Sequence, residues 1–149
     1  MVKTRKIEII PNGDKKTIIS KLTEITEACT SLSNEVSRAA IINFDNLRKL
    51  KEENPGLSSE EINKMVTNQL GMSMRNVGYD ISKKYSSTIP SNIRTTLNSN
   101  IFKTINKLKN DIFKNKISVP SFTKSNTPIY FNWKNSITKK EDKYYFNLN

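Results

Sequence analysis

The chain has 149 residues, with 25 lysines and arginines against 14 aspartates and glutamates, no histidine and one cysteine. Its length fits one domain, its formal net charge of +11 favours a polyanionic partner, and the missing histidine and single cysteine exclude a Cys/His zinc site and an intrachain disulfide. No run reaches the ~18 apolar residues of a membrane span and the N-terminus lacks a signal-peptide core, so an intracellular, cytoplasmic protein with no membrane partner is expected.

The opening VKTRKIEII reads as a strand, with Ile7 and Ile9 on one face and Lys6 and Glu8 on the other. Pro11-Asn12-Gly13-Asp14 then reads as a turn. From there Ile18, Leu22, Ile25, Cys29, Leu32, Val36 and Ala39 recur in steps of four and three, the seam of a helix in a bundle or coiled coil. Phe44, Leu47 and Leu50 extend that helix to about Asn54. Cys29 falls on the seam, which predicts a buried, unreactive thiol.

ENPGLSSEE ends the first helix and starts a second, with Ser58 and Glu61 at capping-box spacing. Ile62, Met65, Val66 and Leu70 form its apolar face, and Gly71 is the expected stop. A short third helix is predicted from about Ser73 to Tyr85; Gly78 weakens it by about 1 kcal/mol relative to alanine. Pro90 belongs in the first turn of a fourth helix, whose buried stripe is Ile93, Leu97, Ile101, Ile105, Leu108 and Ile112. Thr96, Asn100, Lys103, Lys107, Asn110 and Lys114 share the opposite side.

Beyond Lys116 the period changes to two. Ile129, Phe131 and Trp133 alternate with Tyr130 and Asn132, and Tyr144, Phe146 and Leu148 alternate with Tyr145 and Asn147. With residues 139–142 (KKED) as the loop, these runs predict a β-hairpin. Strand, about four helices, then strands is an α+β order with a helical insertion.

The charge is not spread evenly. Residues 94–149 hold eleven basic and three acidic residues, whereas residues 1–93 hold fourteen and eleven. Lysines outnumber arginines twenty to five, a bias that an AT-rich coding sequence would produce anywhere, but drift of that kind does not concentrate charge in one third of the chain. Lys103, Lys107, Lys114, Lys116 and Lys124 are therefore the candidate phosphate contacts, joined by Lys3, Arg5 and Lys6 from the first strand. Arg94 is the candidate bidentate phosphate clamp. Tyr130 and Tyr145, facing away from the apolar set, are the candidate base-stacking rings, and Trp133 is assigned to the core.

Catalysis is not predicted. Glu52–Glu53 and Glu60–Glu61 are the acidic pairs outside the 141–142 loop, and their positions at helix ends fit capping and solvation better than metal binding. No glycine-rich phosphate loop is present, and no cofactor is expected.

The order of these pieces resembles a known family. A first strand leads into a helix bearing EACTSLSNEVSRAA; then come IPSNIRTTLNSNIFKTINKLKNDIFKNKISVPSF, PIYFNW and a terminal YYFNLN. This is similar to the N-terminal half of the miniature type V-F CRISPR effectors and their TnpB relatives, and PSFTKSNTPIYF carries most of the likeness. In that family a helical recognition lobe interrupts a wedge-type β-barrel. The resemblance thus implies a first wedge strand over 1–12, a recognition lobe over 13–116, and wedge strands over 117–149 that complete a small partial barrel with the first strand. It also implies binding of structured guide RNA and target DNA by shape and backbone, with sequence read by base pairing. The helices from Ile18 to Tyr85 would mediate dimerisation, with a second copy or a full-length effector subunit. The match departs from the family where a RuvC-like nuclease domain and a CxxC zinc ribbon would follow, so the expected module is non-catalytic, a split or truncated effector. Two alternatives stand beside it: an anti-CRISPR-like mimic that sequesters guide RNA or an effector subunit, and a small basic helical regulator of duplex DNA.

Overall fold

The computed structural model describes residues 10–70, 77–127, 129 and 137–146. In chain order these form α1 (Lys15–Glu53), α2 (Ser59–Leu70), α3 (Val77–Lys83), α4 (Ser91–Phe113), β1 (Ile137–Lys140) and β2 (Lys143–Phe146). The expected sequence of four helices followed by a hairpin is therefore found. The expected first strand, and the strand through Phe131 and Trp133, lie outside the described residues.

α1 is the spine, about 58 Å long at 1.5 Å per residue. Gly13, at φ 131, turns the chain into it in a conformation that suits glycine. The Asp14 carboxylate then caps the helix by accepting from Thr17 N at 2.8 Å. At the other end the Asn54 N–H and side-chain amide both donate to Leu50 O, and Pro55 cannot continue the ladder.

The buried stripe of α1 is Ile25, Cys29, Leu32, Val36, Ala40 and Phe44. It departs from the expected seam: Ala40 is buried and Ala39 only half-buried, and Ile18 and Leu22 at the start of the seam are half-buried too. Repeated steps of four move the stripe round the helix, because each exceeds one 3.6-residue turn. That drift brings Ser33 and Ser37 into the interior as well. Ser33 Oγ donates to Cys29 O at 2.7 Å, while Ser37 Oγ has no partner among the described residues.

Against this stripe lie Ile89 and the α4 residues Ile93, Leu97, Ile101 and Ile105, forming one continuous core. Ile112 is also buried, and Leu108 is half-buried at the edge. Phe44 and Phe102 meet at 5.3 Å, and the Arg48 guanidinium lies 5.3 Å over the Phe113 ring. Successive contacts thus advance along both helices, so α4 runs parallel to α1.

α2 packs on the far end of the spine, where Ile62 and Val66 close over Leu50. Its capping box forms as the spacing implies: Ser58 N donates to Glu61 Oε2 at 2.8 Å and Glu61 N donates to Ser58 Oγ at 3.3 Å. The helix reaches Leu70; Gly71, its expected stop, lies outside the described residues.

α3 ends at Lys83, two residues short of the expected Tyr85, in a run of i→i−3 bonds through Ser86. The start expected near Ser73 lies outside the described residues. Pro90 is the N-cap of α4 and not a first-turn residue. α4 stops in a Schellman arrangement: Asn115 N donates to Ile112 O, Lys116 N donates to Asp111 O, and Asn115 takes the left-handed conformation at φ 53.

The chain then runs back along α1 as an extended strap. The Asn34 amide holds it by both faces, donating to Phe122 O at 3.0 Å and accepting from Phe122 N at 2.9 Å. Thr30 and Thr127 share a hydroxyl hydrogen bond of 2.9 Å further along. Ile129 packs against the main core.

β1 and β2 pair antiparallel in the register Ile137↔Phe146, Lys139↔Tyr144 and Lys140↔Lys143. The turn is tighter than the four-residue loop read from the sequence. Lys139 and Lys140 belong to β1, and Glu141, at φ 53, makes the turn with Asp142 and supplies a positive φ that a two-residue hairpin requires.

Gly78, which weakens α3 as a helix, lies directly against Asn98 of α4. A Cβ there would stand 1.6 Å from Asn98 Oδ1 and 2.3 Å from Asn98 Cγ. Helix propensity alone would make Gly78→Ala stabilising by about 1 kcal/mol, but overpacking of this kind costs about 1–3 kcal/mol. The clash should win, lowering stability by about 1 kcal/mol in urea unfolding. In an Asn98→Ala background the same substitution should become neutral or stabilising; equal effects in both backgrounds would show that the two residues do not touch.

Candidate nucleic-acid interface

Burial of one α4 stripe against α1 decides what the opposite side presents to solvent. Lys103, Lys107 and Lys114 are exposed there, with Asn110 exposed between the last two, and Thr96 and Asn100 half-buried at the N-terminal end of the same ridge. The rise is about 6 Å from Lys103 to Lys107 and about 10 Å from Lys107 to Lys114. None of the three ammonium groups has an ion-pair partner among the described residues. α4 carries one carboxylate, Asp111, which lies 3.9 Å from the Lys116 ammonium. The ridge is thus a line of cations and short polar groups with little local neutralisation.

Elsewhere several cations are matched by carboxylates, whereas Arg38, Lys51 and Lys109 have no ion-pair partner among the described residues. Arg48 and Lys49 pair with Asp45 at 2.8 Å each, and Arg48 also reaches Glu52 at 3.1 Å. These partners hold the Asp45 carboxyl below its ordinary range, through hydrogen bonds from Lys49 and then Arg48. Lys64 pairs with Glu60 and Lys83 with Asp80. Lys15, Lys16 and Lys21, exposed on the first turns of α1, also have no ion-pair partner among the described residues. Sequence reading passed over them, although two lysines at a helix start oppose the macrodipole and are not explained by helix stability.

Several predicted contacts have other employment. Arg94 Nε donates to Ile89 O at 2.9 Å and its Nη1 donates to Ser82 O at 3.1 Å. The expected phosphate clamp is therefore an intramolecular brace that ties the α3–α4 connection to the first turn of α4. Lys124, on the strap, forms an ion pair with Glu27 of α1. Lys3, Arg5, Lys6 and Tyr130 lie outside the described residues. Tyr145 is half-buried on β2, while its neighbour Tyr144 is 63% exposed with the Lys139 ammonium 5.7 Å from its ring centroid. The better-presented ring is thus Tyr144, which alternation of apolar residues had assigned inward.

A second brace positions α4. Tyr85, in the connection before it, donates its hydroxyl to Glu35 Oε1 at 2.5 Å, and Lys84 reaches Glu35 Oε2 at 3.0 Å. The Tyr85 hydrogen bond, then Lys84, holds the Glu35 carboxyl below its ordinary range. Burial, then Glu35, pushes the Tyr85 phenol up to about 12.

Three of the four paired glutamates have local partners: Glu52 with Arg48, Glu60 with Lys64, and Glu61 in the capping box. Among the described residues no group of three or more His, Cys, Asp or Glu side chains is placed to hold a metal ion. Cys29 is buried, and burial raises its thiol to about 11. No described helix is long and apolar enough to cross a membrane. No protein-family model, curated protein or solved structure matches the chain.

The Glu35–Tyr85 tie has a defined pH signature. Lowering of Glu35 means that its contribution is present above the unfolded glutamate value of about 4.3 and is lost as pH falls through the folded value. Raising of Tyr85 means that its contribution is present below about pH 10 and is lost as pH rises through about 12. Tyr85→Phe should cost about 1 kcal/mol in urea unfolding at pH 7, and the gap to wild type should shrink towards pH 3. A pH-independent gap would show that the phenol–carboxylate contact is not what the substitution removes.

Proposed function

We propose that the chain is a non-catalytic module that binds structured RNA through the outer ridge of α4. The observation that carries this reading is the unpaired line of Lys103, Lys107 and Lys114 on a helix whose other side is fixed in the core. Three ammonium groups at one- and two-turn spacings suit successive backbone phosphates, and Asn100 and Asn110 add neutral donors and acceptors between them. The ridge offers attraction and alignment without a nucleophile or a metal site, so its chemistry is adhesion.

The resemblance to the wedge and recognition half of a miniature type V-F effector gives this adhesion a context. In that reading α1 to α4 are the recognition lobe, the strap is the re-entry, and the β1–β2 hairpin belongs to a partial barrel completed by the first strand. The bound RNA is then the guide scaffold of an RNA-guided nuclease, with target DNA reached through it. This context rests on the motif PSFTKSNTPIYF and the order of elements, whereas RNA adhesion rests on the ridge.

Three neutralised phosphates give a log–log salt slope near −2.7 by the duplex rule, or roughly 40-fold weaker binding at 200 mM than at 50 mM salt. Lys103→Gln with Lys107→Gln should make that slope shallower by about 2 and leave thermal unfolding unchanged. Fluorescence anisotropy with a miniature type V-F guide RNA checks both, and a slope that does not move would remove the ridge from the interface. The same titration with random-sequence duplex DNA tests the context: tighter binding to the guide RNA is expected, and equal affinity would favour the DNA-regulator alternative.

A further inference from the structure

Two features of the hairpin bear on what it could bind. Lys140 and Lys143 are cross-strand partners next to the turn, and like charges placed directly opposite one another are destabilising. Neither has an ion-pair partner among the described residues, Glu141 and Asp142 included. Tyr144, on the same face as its cross-strand partner Lys139, leaves 63% of its surface in water. Lysines on short strands are a usual guard against edge pairing, but an exposed ring beside them is no part of such a guard.

An exposed ring with Lys139 at its edge on one face of the hairpin, and the opposed Lys140 and Lys143 beside the turn on the other face, suit a base with its phosphates. We infer that the hairpin tip is a second contact, which takes an unpaired nucleotide of the bound RNA. The base stacks on Tyr144, and Lys139, already 5.7 Å from that ring, takes the phosphate of the stacked nucleotide. Lys140 and Lys143 converge on the next phosphate as the strand rounds the tip, and its charge removes their repulsion. Stacking requires a base free of its partner strand, so the favoured RNA is a stem with an unpaired loop or flank and not a blunt duplex. The inference rests on the RNA-binding reading above and adds a site to it.

The test uses the full chain with two RNAs: a stem-loop carrying 2-aminopurine in the loop, and the blunt duplex of the same stem. Wild-type protein should quench the 2-aminopurine and prefer the stem-loop. Tyr144→Leu should abolish the quench and weaken stem-loop binding about tenfold without changing duplex binding, and Tyr144→Phe should retain both. The pair Lys140→Gln and Lys143→Gln separates binding from folding, because it relieves the repulsion and cannot weaken the hairpin through charge. Stem-loop affinity should fall even so. Unchanged quenching in Tyr144→Leu, or unchanged affinity in the Lys140→Gln, Lys143→Gln variant, would overturn the inference while ridge-dependent binding stood. Failure of wild type to bind either RNA would remove both readings.

Discussion

The contact between α1 and α4 determines most of what this chain can present to a partner. Four α4 side chains enter the core formed with α1 and Ile89, and Phe102 and Phe113 pack against it. A helix has one azimuth per residue, so once Ile93, Leu97, Ile101 and Ile105 face inward, Lys103 and Lys107 must face out. The apolar stripe and the cationic ridge are therefore one feature seen from two sides. Burial of each isoleucine or leucine contributes about 1.5–3 kcal/mol, which far exceeds the repulsion between neighbouring exposed lysines in water. Core packing can hold the ridge together without any help from charge.

The rest of the molecule steadies that contact by directional means. Arg94 and the Tyr85–Glu35 pair fasten the connection into α4, and the Schellman turn at Asn115 fixes where the helix ends. Asn34 then lays the strap back along α1 by imitating a strand neighbour at Phe122. These are polar interactions at the margins of an apolar core. Each costs little to form because its groups would otherwise need other partners. Their common effect is to align α4 with α1 more than to add stability.

Legibility in the sequence followed the range of the interaction. The Ser58–Glu61 box, the α4 stripe and the end of α1 at Asn54 depend on residues within one or two turns, and spacing alone located them. The Ala39 to Ala40 shift escaped because a seam of fours and threes assumes a straight partner, whereas the stripe follows α4 and the strap round the helix. The bracing role of Arg94 was not legible because its acceptors are main-chain carbonyls, Ser82 and Ile89, which no residue type advertises. Gly78 was read as a defect of α3 because its reason, Asn98, is on another helix. The ridge was legible as a pattern. Its lack of counter-ions was not, since Lys124 looks the same in sequence until Glu27 is found beside it.

The sole cysteine sits midway along the buried stripe of the spine, between Ile25 and Leu32, with no exposed surface. Burial raises its thiol to about 11, so little thiolate forms near neutrality while the seam stays closed. A thiol-directed reagent must therefore wait for α4 or the strap to part from α1. The rate of alkylation becomes a clock for opening of this one seam, readable in cells as well as in a cuvette. Nature has in effect placed a single silent reporter at the centre of the scaffold that aligns the cations.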